Sequence, residues 1–283
     1  MGRVFYNSLG RFAADGLPFG RRAGQALLAP PLKPGPGGSL AMEIPASLAN
    51  ALRAARSVAV LTGAGISAES GVPTFRDAMT GLWARYNPED LATPEAFLRD
   101  PKLVWEWYEW RRGLVAKAQP NPGHRALAEL ERRVPDFTLT TQNVDGLHRR
   151  AGSRRVLELH GNITRHKCFD EGTPVESWAD TGSVPPLCPR CGGYLRPDVV
   201  WFGEMLPEAA LEAALEAARR CELFLCVGTS TVVQPAASLP FEALRAGAQV
   251  LEVNPDATPL TPHAAWSLRG PAGMVLPELL AAL

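Results

Sequence analysis

Short apolar runs alternate along this chain with longer segments in which apolar residues recur every three or four positions. The short runs are typical of buried strands, and the longer periodicity is typical of amphipathic helices. Because strands and helices alternate, the sequence predicts an α/β fold, namely a Rossmann-like, doubly wound parallel sheet with helices on both faces. The predicted strands are Ser57–Thr62, Phe137–Thr141, Val156–Leu159, Leu223–Val227 and Val250–Val253, and the predicted helices are Ala46–Ala55, about His124–Arg132, Pro207–Arg220 and Ala236–Ala246.

Two segments interrupt this alternation. Residues 78–118 have a helical pattern rich in aromatic side chains, and residues 162–203 contain three clustered cysteines. We expect them to form a small lobe, made of a helical insertion and a zinc-ribbon-like insertion, on a domain that spans residues 42–283. Residues 1–41 are rich in Gly, Pro and Arg, and we expect a poorly ordered extension. This extension is either a flexible tail, a transit peptide or untranslated sequence before a start at Met42.

Composition and charge narrow the function classes. Lys plus Arg and Asp plus Glu number 29 each, so no overall charge favours a nucleic acid or a membrane surface as partner. No apolar run approaches the roughly 20 residues that a membrane span requires. The five cysteines do not resemble a secreted disulfide framework, which favours a reducing compartment. We therefore expect the cytoplasm, or the mitochondrion if residues 1–41 are a transit peptide.

The first predicted strand is followed directly by the glycine-rich segment Gly63-Ala64-Gly65-Ile66-Ser67-Ala68. This G-x-G-x-x-A pattern after a strand predicts a dinucleotide phosphate loop. In that interpretation Gly63 permits the turn, Gly65 lets backbone N–H groups approach phosphate, and Ala68 packs helix on strand. The pattern alone also fits any glycine-bearing turn. No acidic residue ends a second strand about 20 residues on, so an ordinary dehydrogenase is not favoured.

Polar residues follow the other predicted strands. They lie at residues 141–148, 160–162, 228–230 and 254–256. Because ligands of open parallel sheets bind at the carboxyl ends of the strands, we expect these segments and the glycine loop to form one site.

These segments together resemble the sirtuin family of NAD-dependent protein deacylases. The resemblance spans roughly residues 45–280, and the matching blocks are Gly63-Ala64-Gly65-Ile66-Ser67, Pro73-Thr74-Phe75-Arg76, Thr141-Gln142-Asn143-Val144-Asp145, His160-Gly161-Asn162, Val200-Trp201-Phe202-Gly203-Glu204, Gly228-Thr229-Ser230 and Val253-Asn254-Pro255. It implies that NAD is consumed as the acyl group of a modified protein lysine is transferred to ADP-ribose. Nicotinamide and O-acyl-ADP-ribose are the implied products.

The resemblance also implies roles for individual residues. His160 matches the catalytic base, and Asn143 and Asp145 match residues beside the ribose and the leaving carboxamide. A neutral imidazole suits removal of a ribose hydroxyl proton. The residues implied to bind NAD are Gly63, Ala64, Gly65, Ser67, Ala68, Phe75, Arg76, Gln142, Asn143, Asp145, Gly228, Thr229, Ser230, Asn254, Pro255, Asp256 and Ala272.

Tyr108 and Arg111 lie three residues apart, so one helical face presents both. In the desuccinylase and demalonylase branch of the sirtuins, such a pair binds the distal carboxylate of the acyl chain. We therefore expect removal of succinyl or malonyl groups, together with acetyl groups. The alternatives are a deacetylase without acidic-acyl preference, and an NAD glycohydrolase or ADP-ribosyltransferase. Val200, Phe202, Gly203, Glu204 and Val232 resemble the family's clamp for the acyl-lysine peptide.

Cys188 and Cys191 form a C-x₂-C pair with glycines behind it, a pattern typical of a zinc knuckle. The sirtuin pattern has a second pair upstream. Here Cys168 is followed by Glu171 where the second cysteine would stand. We expect a structural zinc held by Cys168, Cys188, Cys191 and Glu171. Asp170, His166 or water remain open as the fourth ligand, and so does loss of the metal.

Overall fold

A computed structural model describes residues 43–72, 86 and 91–283 of the chain. Its main sheet has six parallel strands in the order β3-β2-β1-β7-β8-β9. The predicted α/β class, with a doubly wound parallel sheet and a small lobe, is confirmed. The strands of this sheet are β1 (Ser57–Thr62), β2 (Asp136–Thr141), β3 (Val156–Glu158), β7 (Leu223–Val227), β8 (Gln249–Val253) and β9 (Trp266–Leu268).

The chain extends the sheet from β1 to one side as β2 and β3, and later to the other side as β7, β8 and β9. The direction of winding therefore reverses between β1 and β7. In open α/β sheets the crevice at such a reversal, beyond the carboxyl ends of the strands, is the usual ligand site.

Successive side chains along the strands face opposite layers of helices. Val58 and Val60 of β1 pack with α1, α4 and α8, whereas Ala59 and Leu61 pack with α6 and α7. This period of two is the geometric property of an extended strand, and burial on both faces explains the continuous apolar runs. The helices are α1 (Ala46–Ala54), α2 (Pro94–Arg99), α3 (Pro101–Lys117), α4 (Pro122–Arg133), α5 (Leu147–Arg150), α6 (Glu208–Arg220), α7 (Leu239–Arg245) and α8 (Ala272–Ala281).

Three successive helices begin with the same local chemistry, a polar capping residue followed by proline at the first helical position. The side chain of Thr93 accepts from the backbone of Ala96, and Asp100 caps α3 in the same way. Asn121 caps α4 and forms a capping box with His124. Each cap satisfies backbone N–H groups that have no partner in the first turn.

The small lobe combines α2 and α3 with a second, antiparallel sheet. That sheet has the order β5-β4-β6 and consists of β4 (Gly161–Cys168), β5 (Pro174–Val175) and β6 (Leu195–Val199). Aromatic side chains of the helical segment and of residues 199–202 form its core, including the fully buried Trp107 and Trp201.

Several local predictions differ from the structure. The helix expected at 236–246 is a 3₁₀ turn, Ala236–Ser238, followed by α7. Strand β9 and helix α8 were not predicted at all. The glycine segment runs into two 3₁₀ turns, Ala64–Ile66 and Ala68–Ser70. Within the described part of the chain, no helix has both the length and the apolar character needed to cross a bilayer.

Candidate active site and metal centre

Two glycine loops meet at the point where the sheet reverses. The backbone N–H of Gly65 donates to the carbonyl of Gly228 over 2.8 Å, and Gly63 donates to Val227 over 3.1 Å. A Cβ atom on Gly65 would lie 2.8 Å from Gly228, and one on Gly228 would lie 2.5 Å from the nitrogen of Ile66. Gly228 also has φ +59°, in the left-handed region. Both loops therefore exclude side chains because their backbones touch.

This close approach changes the interpretation of the glycine motif. Gly63 has φ −127° and ψ −171°, an extended conformation, so it is required by contact with Thr229 and not by a positive φ. Ala68 is exposed and does not pack a helix onto a strand. Phe75 and Arg76, which were expected to contact NAD, lie outside the described residues.

The polar residues after β2 are held in a buried hydrogen-bond network with the first glycine loop. Ser67 donates to Oδ2 of Asp145 over 2.7 Å, and Nδ2 of Asn143 donates to Ser67 over 3.0 Å and to the carbonyl of Gly63 over 3.1 Å. The backbone N–H of Leu147 donates to Oδ1 of Asp145. Burial raises the pKa of Asp145, against these donors that lower it. With its amide hydrogens committed, Asn143 offers its carbonyl oxygen to a ligand.

His160 lies at the end of β3 and contacts the same loop. Its Nδ1 is 2.9 Å from the carbonyl oxygen of Gln142. A carbonyl only accepts, so Nδ1 carries the hydrogen of the neutral ring and the buried Nε2 is the basic nitrogen. Burial lowers the pKa of His160 to about 4, although the bond to Gln142 opposes the shift. The imidazole is therefore neutral at neutral pH, as a proton acceptor must be.

The ends of β7 and β8 complete this edge of the sheet. Gln142 donates from Nε2 to Thr229 over 2.9 Å, and Asn254 donates from Nδ2 to the carbonyl of Thr229 over 2.9 Å. Ser230, Pro255 and Asp256 are exposed, and Ala272 is buried at the start of α8. Four strand ends thus converge, as the polar segments predicted.

Sequence reasoning missed three residues, Glu69, His124 and His148, that hold the first glycine loop and the end of β1 in place. Glu69 accepts from the backbone N–H of Gly273 over 2.6 Å and so joins the first glycine loop to α8. His148 contacts Thr62 over 2.9 Å, and His124 contacts Ser67 over 3.4 Å. The two rings are buried with centroids 4.8 Å apart. No local signal marks these residues, because their partners are distant in sequence.

Tyr108 and Arg111 lie side by side on α3, as their spacing predicted. The guanidinium of Arg111 is 6.0 Å from the ring centroid of Tyr108 and 4.9 Å from that of Trp107. The hydroxyl oxygen of Tyr108 accepts from Nε1 of Trp201 over 2.9 Å. Burial raises the pKa of Tyr108 to about 12, although the charge of Arg111 opposes the shift. Burial also lowers the pKa of Arg111, but a guanidinium remains protonated in proteins, so the pair combines a positive charge with a phenol that stays protonated.

The segment Val200–Glu204 joins the small lobe to the edge of the sheet that carries His160. The backbone of Val200 donates to the carbonyl of His160 over 2.9 Å, and Phe202 donates to Ala92 over 2.9 Å. Gly203 is exposed with φ +87°. Both carboxylate oxygens of Glu204 accept from the buried Arg196. Glu204 therefore holds this turn in shape. The exposed Val232 lies in the loop after β7.

The predicted metal ligands come together in the small lobe. One ligand atom from each of Cys168, Glu171, Cys188 and Cys191 lies within 4.8 Å of every other. The sulfurs of Cys168 and Cys191 are 3.4 Å apart, close to the roughly 3.8 Å edge of a tetrahedron with Zn–S bonds of about 2.3 Å. Backbone N–H groups of Cys191 and Arg190 lower the pKa of Cys188, whereas, against the backbone N–H of Gly193 that lowers it, the Cys168 thiol raises the pKa of Cys191 to about 11.

Glu171, and not Asp170 or His166, is the fourth member of this cluster among the described residues. His166 instead stacks on Trp105, with centroids 5.5 Å apart. Nε of Arg190 donates to Oε2 of Glu171 over 3.0 Å, which orients the carboxylate. Three sulfurs and one oriented oxygen fit a tetrahedral zinc ion.

Comparisons with known proteins agree with this fold. The profile described as Sir2 family matches residues 63–235. An NAD-dependent protein deacylase of Aquifex aeolicus is 59% identical over 206 residues, 72% of this chain and 86% of that protein. A crystal structure of a Sir2 homolog–NAD complex has TM-score 0.78 and 49% identity, covering 84% of this chain and 93% of that one. A Sir2–p53 peptide–NAD⁺ structure has TM-score 0.73 and 31% identity, with 83% and 97% covered.

Proposed function

The chain belongs to the Sir2 family, and we propose that it is an NAD-dependent protein-lysine deacylase that prefers acidic acyl groups, succinyl and malonyl, and also removes acetyl groups. The observation that carries the reaction class is the convergence of Asn143, Asp145 and His160 beside the two touching glycine loops. When bound, NAD would supply the ribose carbon that the acyl oxygen attacks as nicotinamide leaves, and the ribose hydroxyl that finally carries the acyl group.

In this proposal different residues of the chain bind NAD, orient its ribose and carboxamide, and accept a proton. The glycine loops bring backbone close to phosphate, while Thr229, Ser230 and Asn254 line the adenosine side. Asn143 and Asp145 orient the ribose and the carboxamide through the carbonyl and carboxylate oxygens that they present. Nε2 of His160 accepts a ribose hydroxyl proton, because its Nδ1 hydrogen is committed to Gln142.

The acylated protein segment binds as an extended strand along Val200–Glu204 and the loop at Val232. Such β-augmentation uses backbone groups for affinity and leaves side-chain pockets to give specificity. The turn at Phe202 and Gly203 supports this arrangement, because the ion pair of Arg196 and Glu204 holds it in place.

The acidic-acyl preference rests on Tyr108 and Arg111. A guanidinium next to a protonated phenol matches a carboxylate, and charge-assisted bonds contribute about 1.5–3 kcal/mol each. Zinc held by Cys168, Cys188, Cys191 and Glu171 is structural in this proposal, because the cluster packs with Trp105 and Val175 in its own core of the small lobe. The cysteine usage supports the cytoplasm as the location.

The test is kcat/KM on peptides that differ only in a succinyl-, malonyl- or acetyl-lysine, at saturating NAD. We expect the acidic peptides to be preferred, and Arg111→Met to lower succinyl turnover about 10–100-fold with acetyl turnover nearly unchanged. His160→Ala should abolish turnover of every peptide. Equal or better acetyl turnover, unaffected by Arg111→Met, would refute the acyl preference.

A second measurement separates this reaction class from an NAD glycohydrolase or ADP-ribosyltransferase. Nicotinamide release should depend strictly on an acyl-lysine peptide, with one nicotinamide formed for each lysine freed. Release at the same rate without peptide would contradict deacylation.

A further inference from the structure

A buried hydrogen bond joins the acyl-recognition pair, Tyr108 and Arg111, to the peptide clamp, Val200–Glu204 and Val232. Nε1 of Trp201 donates to the hydroxyl oxygen of Tyr108 over 2.9 Å, and the two side chains are 0% and 2% exposed. An indole N–H only donates. The phenol oxygen must therefore accept from Trp201, and its own hydrogen must point elsewhere. Among the described residues, no acceptor takes that hydrogen.

Trp201 cannot easily turn its N–H away. Its backbone N–H donates to Oε2 of Glu204 over 2.7 Å, and its carbonyl accepts from the backbone of Glu204 over 3.0 Å. The guanidinium of Arg196 lies over the indole ring, and Phe97 packs against the ring with centroids 5.3 Å apart. The direction of the indole N–H is thus set by the turn that shapes the clamp.

Because its oxygen accepts from Trp201, the hydroxyl of Tyr108 directs its hydrogen away from Trp201, and a positive charge lies nearby. Arg111 lies 6.0 Å from the ring centroid. Burial keeps the phenol protonated, with its pKa raised to about 12. A directed O–H donor beside a guanidinium fits a ligand with an anionic oxygen and leaves a donor unmatched against a methyl group.

We propose that Trp201 is a specificity-determining positioning residue: its indole N–H sets the orientation of the Tyr108 hydroxyl, which then donates to the distal carboxylate of an acidic acyl group. This inference rests on the proposed function and deepens it. Trp201 does not touch the reacting atoms and acts only through Tyr108.

Trp201→Phe tests the inference, because it keeps an aromatic ring and removes the N–H donor. We expect kcat/KM on a succinyl-lysine peptide to fall about 3–10-fold, with acetyl-lysine turnover within about twofold of wild type. In a Tyr108→Phe background, Trp201→Phe should lower kcat/KM on either peptide less than about twofold, since the hydroxyl that accepts from the indole N–H is already gone. The matched control is Trp266→Phe, which removes another indole N–H, bonded to Ser47 over 3.1 Å, and should leave the succinyl-to-acetyl ratio unchanged.

The inference is wrong if Trp201→Phe lowers kcat/KM equally on both peptides, or if it lowers succinyl turnover as much without the Tyr108 hydroxyl as with it. In either case Trp201 contributes packing alone. Tyr108→Phe alone must also lower succinyl turnover selectively, which keeps the test valid if Trp201→Phe does not fold. A wild-type enzyme that prefers acetyl-lysine overturns both proposals, whereas a succinyl-to-acetyl ratio that Trp201→Phe leaves unchanged overturns this one alone.

Discussion

Glu252 organises the loop that carries Asn254 and Asp256, the residues proposed to contact the adenosine side of NAD. Its carboxylate is at the end of β8 and is 1% exposed. Oε2 accepts from Thr261 over 2.7 Å and from Ser267 over 3.3 Å, and it forms an ion pair with Arg269 at 3.0 Å. Oε1 accepts from the hydroxyl of Thr258. One carboxylate thus holds three hydroxyls and a guanidinium.

The variant Glu252→Gln keeps the shape of the side chain and removes its charge. The side chain of Arg269 is 36% exposed, so water can solvate its charge when the carboxylate is lost. The ion pair therefore contributes about 1 kcal/mol, well below the 3–5 kcal/mol of a fully buried pair. The amide nitrogen of glutamine cannot accept a hydrogen bond. At least one hydrogen bond from a hydroxyl is therefore lost, which costs about 1–1.5 kcal/mol of stability. We expect a loss of about 2–3 kcal/mol in the free energy of unfolding, or roughly 4–12 °C in Tm.

The functional effect should appear in NAD binding. Asn254 and Asp256 lie between Glu252 and the two threonines that it holds, so a looser loop spends less time in the binding geometry. Apparent affinity falls in proportion to that fraction. We expect KM for NAD to rise about 3–10-fold, while kcat at saturating NAD and KM for the acyl peptide stay near wild type.

Thermal unfolding and NAD saturation curves measure the two effects, and Glu212→Gln, at an exposed position of α6, is the matched control. A Tm within about 1 °C of wild type together with an unchanged KM for NAD would refute the reasoning. A fall in kcat with no change in KM would mean that Glu252 acts on chemistry and not on the loop.

Three further results are expected. Gly65→Ala should raise KM for NAD and lower Tm, because its Cβ would meet the backbone of Gly228 at 2.8 Å; Gly113→Ala, where nothing lies within 4 Å, is the control. Glu171→Cys should retain zinc at chelator concentrations that strip the wild type, as metal analysis would detect. Because burial lowers the pKa of His124 and of His160 to about 4, the unfolded chain binds more protons below about pH 6.5. Stability should therefore fall as pH drops from about 6.5 to 4, and a urea series that finds no loss would contradict this.

The sequence by itself determined five of the six strands of the main sheet and the polar segments at their carboxyl ends. Strands β1 and β7 were predicted with the bounds that the structure has, because burial on both faces requires uninterrupted apolar runs. The polar segments after the strands predicted where the candidate site lies, since parallel strands bring their carboxyl ends to one edge. The spacing of Tyr108 and Arg111 placed them on one face of a helix because that relation is local.

Only the tertiary structure decided the contacts between distant segments. The glycines at 63 and 65 are required by the second loop at 228, more than 160 residues later. The bond from Trp201 to Tyr108 spans 93 residues, and that from Gly273 to Glu69 spans 204. Local patterns record which face of an element is buried, whereas the partner on that face is chosen by the packing of the whole chain.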